Sequence, residues 1–285
     1  MNESHSQEVN KTKAYYNSCD ADNFYAHIWG GDDIHIGMYE NNTDTIKQAS
    51  HRTVRKMANL SNINRSSKVL DIGSGYCGAA RYLAKTFNCK ITALNLSEKE
   101  NQRARQLNKQ NALSDQITVI DGSFERMPLE NNSFDRVWCQ DAILHSANKQ
   151  KVFEEVARVL KPGGCFVFCD PMQTDHCPKG VLQPILDRIH LSALASPAFY
   201  RNIAYQTGFK DMLYYDYSVQ LTRHYQSVLN ETNRREKELK KHVTITYLNQ
   251  MKKGLSHWID GGLKGHLCWG IFKFNKIQAN NAGIN

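Results

Sequence analysis

Apolar runs and segments of helical periodicity alternate through the middle of the chain. Five apolar runs predict strands: Lys68–Ile72, Lys90–Leu96, Gln116–Ile120, Phe134–Gln140 and Cys165–Asp170. Segments with apolar residues at helical spacing lie between them: Cys77–Phe87, Glu98–Asn111 and Lys149–Leu160. Ser97 precedes the second helix, and Glu100 three residues later completes a predicted capping box. This alternation predicts an α/β fold whose parallel sheet is covered by helices on both faces.

The pattern changes after Asp170. Lys161-Pro-Gly-Gly164 is expected to end the third helix, because proline cannot extend it and glycine allows a left-handed turn. The strand predictions beyond this point are Phe209–Tyr217 and Gly265–Phe274, the second with apolar residues at alternate positions. We expect that last strand to pair antiparallel at the edge of the sheet. The later helix predictions are Leu182–Ala193, Pro197–Thr207, Gln220–Lys241 and Thr244–Trp258.

The first 66 residues stand outside this alternation and are dense in aromatic, histidine and glycine residues. They either carry binding groups over the core or only pin an N-terminal arm to it. The expected organisation is therefore an arm or lid over the active site at 1–66 and a nucleotide-binding core at 67–172. Residues 173–285 then supply helical cap segments and the strands that complete the sheet.

Composition narrows the classes of function. The chain has 285 residues, 41% hydrophobic, and no stretch approaches the roughly 18 apolar residues that span a bilayer. Its first residues do not resemble a signal peptide, so a cytoplasmic protein with no membrane partner is expected. Much of the excess behind the net charge of +8 comes from residues 47–65 and 233–242, and the second segment has interleaved acids, which favours a solvated helix face over nucleic-acid binding.

Eight cysteines are scattered without a C-x-x-C pair, so buried free thiols are expected. Cys165, Cys169, His176 and Cys177 have no spacing typical of a zinc site, and no metal is expected. The oligomeric state is not predicted by any of these features.

A glycine loop follows the first predicted strand in Val-Leu-Asp-Ile-Gly-Ser-Gly-Tyr-Cys-Gly, residues 69–78. A strand that turns into a helix presents backbone N–H groups and a positive dipole end, which bind the polar part of a nucleotide. Gly73, Gly75 and Gly78 match the dinucleotide-binding spacing. That interpretation also needs an acid about 20 residues later, and Asn95 stands there instead.

Three segments in this order carry a resemblance to a known class: the glycine loop, Asn132-Ser-Phe-Asp-Arg-Val-Trp138 and Leu160-Lys-Pro-Gly-Gly164. Together they resemble the class I S-adenosylmethionine-dependent methyltransferases and argue against a dehydrogenase. Further segments resemble the sarcosine and dimethylglycine N-methyltransferases, which make glycine betaine. They are Tyr15-Tyr16, Asp22-Asn-Phe-Tyr25, His27-Ile-Trp-Gly-Gly31, Asp33-Ile-His-Ile-Gly37, Gln140–Ser146 and Trp258–Gly262.

The resemblance implies a doubly wound, seven-stranded, mostly parallel Rossmann-like sheet with an antiparallel last strand and a helical N-terminal arm. It also implies a set of residues around S-adenosylmethionine: Asp71, Gly73, Ser74 and Gly75 at the methionine part, Asn95 and Leu96 at ribose and adenine, Ser123 and Phe124 at the adenine amino group, and Gln140 beneath the sulfonium. Asn95 and Ser123 replace the two carboxylates that are usual in this class.

Methyl transfer to an amine requires a nitrogen with a free lone pair, so a proton must be removed. His145 is the candidate general base, because histidine titrates near neutrality and this one follows the fourth strand. By resemblance to the phosphoethanolamine relatives, Tyr16 or Tyr25 would be its partner. A purely structural role for His145 remains the alternative.

A small amine or amino-acid substrate would need aromatic faces for its cation, and an arginine or backbone donors for its carboxylate. The aromatic candidates are Tyr25, Trp29, Tyr39, Tyr200 and Tyr214, and the arginine candidates are Arg52, Arg188 and Arg201. The predicted reaction is methylation of sarcosine and dimethylglycine to glycine betaine. The alternatives are methylation of another amine such as phosphoethanolamine, or a non-catalytic cofactor-binding or RNA-associated module.

Overall fold

The computed structural model describes residues 18–29 and 32–278, and in these ranges seven strands form one sheet. The strands are β1 Lys68–Ile72, β2 Lys90–Asn95, β3 Ile117–Asp121, β4 Phe134–Gln140, β5 Leu160–Gln173, β6 Phe209–Asp216 and β7 Leu267–Lys276. The helices are α1 Cys19–Ile28, α2 Ile46–Ser61, α3 Gly78–Phe87, α4 Glu98–Gln110, α5 Lys149–Val159, α6 Gln183–Ile189, α7 Pro197–Gln206, α8 Ser218–Arg234, α9 Glu236–Leu239 and α10 Ile245–Leu263. A 3₁₀ turn at Ile143–His145 follows β4.

The strand order is β3-β2-β1-β4-β5-β7-β6, which confirms the predicted doubly wound, mostly parallel sheet. Neighbours from β3 to β5 are parallel, and β7 is antiparallel to both β5 and β6. The chain order reverses between β1 and β4. The connections after these two strands therefore diverge and leave a crevice at their carboxyl ends, which is where ligands bind in open α/β sheets.

The antiparallel last strand is confirmed, but its expected place at the edge of the sheet is wrong. β7 lies between β5 and β6, and β6 forms the edge. Every residue of β7 from Leu267 to Phe272 is buried, because its side chains pack into apolar clusters on both faces of the sheet. The first six residues of β7 are thus buried without alternation, and only Lys273, Asn275 and Lys276 are partly exposed.

Several predicted helix limits also change. The segment Gln220–Lys241 is two helices, and Arg235 at the break donates to the carbonyl of His27 on α1. α10 continues to Leu263, whereas α6 ends at Ile189, because His190 adopts a left-handed conformation. Gly163 takes the expected left-handed turn, with φ of 75°.

Ser97 caps α4 as predicted: its Oγ accepts from the backbone N–H of Glu100 at 3.2 Å. The reciprocal half of the capping box is wrong. The Glu100 carboxylate instead accepts from the side chain of Asn95, because it turns into the crevice beside β2.

The N-terminal segment packs across the later helices. Phe24 and Ile28 of α1, with Trp29 directly after it, form an apolar cluster with residues of α8 and α10. A buried contact joins α1 to the glycine loop, since the Tyr76 hydroxyl donates to Asp22 at 2.7 Å. The predicted segment Tyr15-Tyr16 and the pair Gly30-Gly31 lie outside the described residues.

Within residues 18–29 and 32–278, no helix is both long enough and apolar enough to cross a bilayer. The same ranges hold no group of three or more histidine, cysteine or acidic side chains that could bind a metal. All eight cysteines are free thiols; six are buried, whereas Cys19 is exposed and Cys177 is partly exposed.

Candidate functional site

The glycine loop turns away from the sheet directly after β1. Gly73 and Gly75 have φ values of 71° and 48°, a left-handed backbone that residues with a Cβ seldom adopt. The N–H of Gly73 donates to the carbonyl of Leu94 at 2.8 Å, which fixes the loop against β2. The result is a crevice floor with little side-chain bulk.

This loop forms one side of a cavity, here called the glycine-loop cavity, with a space of about 790 Å³ including its mouth. Seven of the nine residues implied for cofactor binding line it: Gly73, Gly75, Asn95, Leu96, Ser123, Phe124 and Gln140. The other two, Asp71 and Ser74, line an adjoining recess that shares Gly73, Gly75 and Gln140 with the cavity.

Asp71 is the acidic centre of that recess. Burial raises the pKa of its carboxyl to about 7, opposed by the positive charge of His35 and assisted by the negative charge of Asp33. His35 lies 3.6 Å from Asp33. Burial lowers the pKa of His35, but the Asp33 contact outweighs it and the net shift is upward. A cationic ligand group in this recess would stabilise the ionised form of Asp71.

The cavity contains a carboxylate that sequence analysis missed. Glu100 Oε2 accepts from Asn95 Nδ2 at 2.9 Å, and burial raises the pKa of Glu100 to about 7. Glu125 is a second buried acid in the same lining, beside Ser123. Both positions thought to lack an acid therefore have one nearby, five residues after Asn95 and two after Ser123. Sequence reasoning overlooked these two acids because each lies a few residues beyond the position that usually carries the acid.

Gln140 at the end of β4 presents a defined donor to the cavity. Its Oε1 accepts from the indole N–H of Trp138 at 2.9 Å. Because an indole N–H can only donate, this contact fixes which end of the amide faces Trp138. The Nε2 group is then left buried without a hydrogen-bond partner among the described residues. A ligand acceptor at this point would remove that cost.

A second cavity, here called the aromatic cavity, opens on the other side of the turn after β4. Its space is about 930 Å³ including the mouth. A continuous row of rings forms one wall, with neighbouring centroids 5.1–5.7 Å apart. The row runs Tyr25, Trp29, His224, Tyr225 and Trp258. It combines residues of α1, α8 and α10.

Ile34, Asp141 and His145 line both cavities and form their shared wall. Asp141 has φ of 49°, an unusual conformation for a residue with a side chain. Its two oxygens accept from the N–H of Ile36 at 2.6 Å and from the indole N–H of Trp269 at 2.8 Å. These contacts tie the N-terminal segment and β7 to the point where the cavities meet.

Hydrogen bonds to β5 and α5 hold the turn that carries His145 in place. The N–H of Leu144 donates to Asp170 at 3.1 Å, and Lys149 donates to the carbonyl of Leu144 at 3.1 Å. Burial, and then the positive charge of Lys149, lower the pKa of His145 to about 4. The expectation that this histidine titrates near neutrality therefore does not hold. Its imidazole is neutral at physiological pH.

The structure brings together only some of the residues proposed for substrate. Tyr25 and Trp29 line the aromatic cavity, whereas Tyr39 lies behind His224, with its hydroxyl 3.1 Å from Nδ1. Tyr200 and Tyr214 do not line it. Tyr200 is fully buried among phenylalanines and donates to Asp170 at 2.5 Å, and Tyr214 stacks on Phe272. Tyr16 lies outside the described residues.

Among the arginine candidates, Arg188 lines the aromatic cavity, Arg52 bonds to Asp44 and Arg201 lies over the ring of Tyr214. Sequence analysis missed Asp141, His224, Tyr225 and Trp258 as cavity residues. Tyr225 and Trp258 are on long helices whose facing could not be assigned before their packing was known. Asp141 did carry a signal, because it follows Gln140 directly at the end of a predicted strand.

Comparison with known proteins gives consistent matches. A family model described as a methyltransferase domain matches residues 70–168. The chain is 52% identical to the sarcosine/dimethylglycine N-methyltransferase of Halorhodospira halochloris, over 95% of this chain and 97% of that one. It is 49% identical to the same-named protein of Aphanothece halophytica, over 92% and 95%. A crystal structure from Galdieria sulphuraria, provisionally named a sarcosine dimethylglycine methyltransferase, superposes with a TM-score of 0.88 at 42% identity, over 93% of this chain and 100% of that one.

Proposed function

This chain belongs to the family of the sarcosine/dimethylglycine N-methyltransferases, and from that premise we propose that it acts in the cytoplasm, using S-adenosylmethionine to methylate sarcosine and then dimethylglycine, with glycine betaine as the final product. The observation that carries this proposal is the shared wall. One cavity suits a nucleoside and the other suits an amine, and His145 lines both.

The residues around the glycine loop fit S-adenosylmethionine. Its ammonium group matches the buried Asp71 carboxyl, and an acceptor on the ligand would satisfy the orphaned Nε2 of Gln140. Backbone N–H groups of Gly73, Ser74 and Gly75 would surround the methionine part. We assign the ribose hydroxyls to Asn95 together with Glu100.

The adenine would lie between Leu96 and Phe124, with its amino group towards Ser123. Glu125 supports that end of the cavity, since it accepts from Ser146 at 2.5 Å and from the N–H of Asn148. The bound cofactor supplies a methyl carbon on a positively charged sulfur, which the lone pair of an amine nitrogen can displace.

The aromatic cavity suits the acceptor, because each substrate carries an ammonium group before transfer and the final product is a quaternary ammonium. Such a product cannot donate a hydrogen bond and is held best by ring faces. We assign this role to Tyr25, Trp29, Tyr225 and Trp258. Tyr39, Tyr200 and Tyr214 are not part of the cage, since none of them lines the cavity.

We assign the role of proton acceptor to His145. Of its two candidate partners, Tyr16 and Tyr25, Tyr25 is the one within the described residues. The neutral ring of His145 can take a hydrogen bond from the substrate ammonium throughout the physiological range. With a pKa near 4 it is a weak base, so desolvation of the amine in the apolar cavity must share the work of lowering the amine pKa.

The test is methyl transfer from labelled S-adenosylmethionine to glycine, sarcosine, dimethylglycine and phosphoethanolamine, with calorimetry for cofactor binding. The proposal expects product from sarcosine and dimethylglycine, and binding of S-adenosylmethionine but not NAD. Transfer to phosphoethanolamine alone would refute the betaine assignment. Cofactor binding with no transfer to any amine would indicate a non-catalytic module.

A further inference from the structure

We propose that Arg188 binds the substrate carboxylate in the aromatic cavity, and that Gly254 of α10, which has no side chain, leaves the space in which the guanidinium of Arg188 is positioned. This inference rests on the proposed function, because it assigns the part of an amino-acid substrate that the methyl transfer itself does not use. The ligand class is a monocarboxylate whose amine nitrogen lies two bonds away.

Arg188 is available to a ligand anion. It is at the end of α6 and is half-buried, and among the described residues that line the aromatic cavity it is the one arginine or lysine. No acidic side chain of the described residues lies within ion-pair distance of it. Its Nη2 contacts the thioether sulfur of Met251, which is a weak acceptor. An arginine held in a cavity wall against sulfur retains most of its capacity to bind a carboxylate.

Gly254 explains how the guanidinium reaches this place. An added Cβ at Gly254 would lie 2.4 Å from Nε of Arg188 and 2.7 Å from Cζ, closer than atoms can approach. Glycine in the interior of a helix is less stable than alanine, and Gly254 is near the middle of the 19-residue α10. The missing side chain therefore has a packing reason, which is to seat Arg188.

A second unpaired donor lies in the same cavity lining. His224 is fully buried, and burial lowers its pKa to about 3, so the ring is neutral. The N–H of Gly37 donates to its Nδ1 at 3.1 Å, which leaves the ring proton on Nε2. Nε2 has no hydrogen-bond partner in the described part of the chain. A ligand carboxylate could accept from both this donor and the guanidinium.

The charges of the cavity also set the direction of the substrate. Arg188 lines only the aromatic cavity, whereas Asp141 belongs to the wall shared with the glycine-loop cavity. A dipolar amino acid is stabilised when its carboxylate faces Arg188 and its ammonium faces Asp141 and His145. This direction aims the nitrogen at the shared wall. A phosphate dianion is a poorer match, since Arg188 is the one arginine or lysine among the described residues that line the cavity.

The experiment compares dimethylglycine with its neutral carboxamide as methyl acceptors, in the wild type and in Arg188→Gln. Loss of one partner of a buried charge pair typically costs about 30-fold or more in affinity. We expect Arg188→Gln to raise KM for dimethylglycine by at least that factor, with kcat changed much less. The wild-type preference for the acid over the amide should largely disappear. Arg201→Gln is the matched control and should keep the preference.

Gly254→Ala provides the second variant. The atom that it crowds is the far end of a flexible side chain, so the fold should hold and the thermal midpoint should not fall. The acid-over-amide preference should nevertheless drop, because the guanidinium is displaced. Ser256→Ala on the exposed face of α10 is the control for helix propensity, and it should leave the preference unchanged.

An equal loss for acid and amide in Arg188→Gln, or an unchanged preference in either variant, would overturn the subsite. A separate readout, calorimetric binding of betaine, distinguishes this from failure of the proposed reaction. Wild type that binds betaine through Arg188 but transfers no methyl group would refute the reaction and keep the subsite. Wild type that binds no betaine would overturn the subsite.

Discussion

The two cavities are built in opposite ways. With the exception of Ile34, the glycine-loop cavity is lined by residues between 73 and 145, mostly at the ends of β1, β2 and β4 and in the turns that follow them. The aromatic cavity draws its wall from residues as far apart as Tyr25 and Trp258, mostly on four helices and in loops, with Pro171 of β5 and the 3₁₀ turn after β4 completing it. The glycine-loop cavity forms at the carboxyl ends of neighbouring strands. The aromatic cavity exists only when helices that are distant in the sequence have packed together.

Because of this difference, the two cavities are suited to different ligands. Strand ends and turns present backbone donors and short polar side chains in fixed directions, which suit the hydroxyl and charged groups of a nucleoside. Helices present side chains at many angles and can assemble several ring faces around one cation. Variants in one cavity should therefore affect one ligand and leave the other unchanged, except at the shared wall.

The largest effect is expected at the shared wall, where the distinction between the cavities ends. His145→Ala should lower kcat by about 10²-fold or more, the usual scale for loss of a general base. Because the pKa of His145 lies near 4, the loss should be of similar size from pH 6 to pH 9. Steady-state kinetics measure this, with the exposed His176→Ala as control. Turnover within a few-fold of wild type would show that the histidine is structural.

The next effect should be confined to the glycine-loop side. Asp71 is protonated below about pH 7 and then cannot pair with the cofactor ammonium. Affinity for S-adenosylmethionine should thus fall about 5-fold between pH 7 and pH 6, and binding in that window should release protons. In Asp71→Asn, affinity should be weak at every pH and the pH dependence should be reduced. Calorimetry in buffers of different ionisation enthalpy tests both, and an unchanged profile would contradict the assignment.

A smaller effect should be confined to the aromatic side. Trp258 is buried and stacks on Tyr225 at 5.1 Å. Trp258→Leu should weaken betaine binding by roughly 5- to 30-fold, the scale of a desolvated cation–π contact. Binding of 3,3-dimethylbutanoate, which has the same shape without the positive charge, should fall less. Trp258→Phe keeps a ring and is the matched control. Equal losses for both ligands would indicate packing alone.

The smallest effect on catalysis should come from Tyr200→Phe, in neither cavity. The Tyr200 hydroxyl bonds to Asp170, which in turn holds the N–H of Leu144. Its loss should reduce the free energy of unfolding by about 1–3 kcal/mol, because a buried acceptor loses its partner. Turnover should change by less than about threefold. Denaturant unfolding and kinetics test the two parts, and a large rise in KM would restore Tyr200 to the substrate site.

The sequence was sufficient for the strands and for most residues around the glycine loop, since both depend on short periodic segments, but not for the place of β7 in the sheet. Asn95, Ser123 and Gln140 could be located because each lies at or just after a strand end. The aromatic wall could not be predicted in the same way. Tyr225 and Trp258 are indistinguishable in the sequence from other ring residues on amphipathic helices. Conversely, Tyr200 and Tyr214 were predicted as substrate residues on the same grounds as Tyr25 and Trp29, and they are core residues. The division into arm, core and C-terminal segments stays a prediction, as do the roles of the individual site residues.

The place of β7 has a consequence for how the chain is made. β7 follows every other described strand in the sequence, yet it fills the gap between β5 and β6 and pairs with nine residues of β5, Cys165–Gln173. During synthesis on the ribosome, β5 must therefore wait with an open, apolar edge until nearly 100 further residues have emerged. The nascent chain should be most vulnerable to aggregation, and most dependent on chaperones, in that interval.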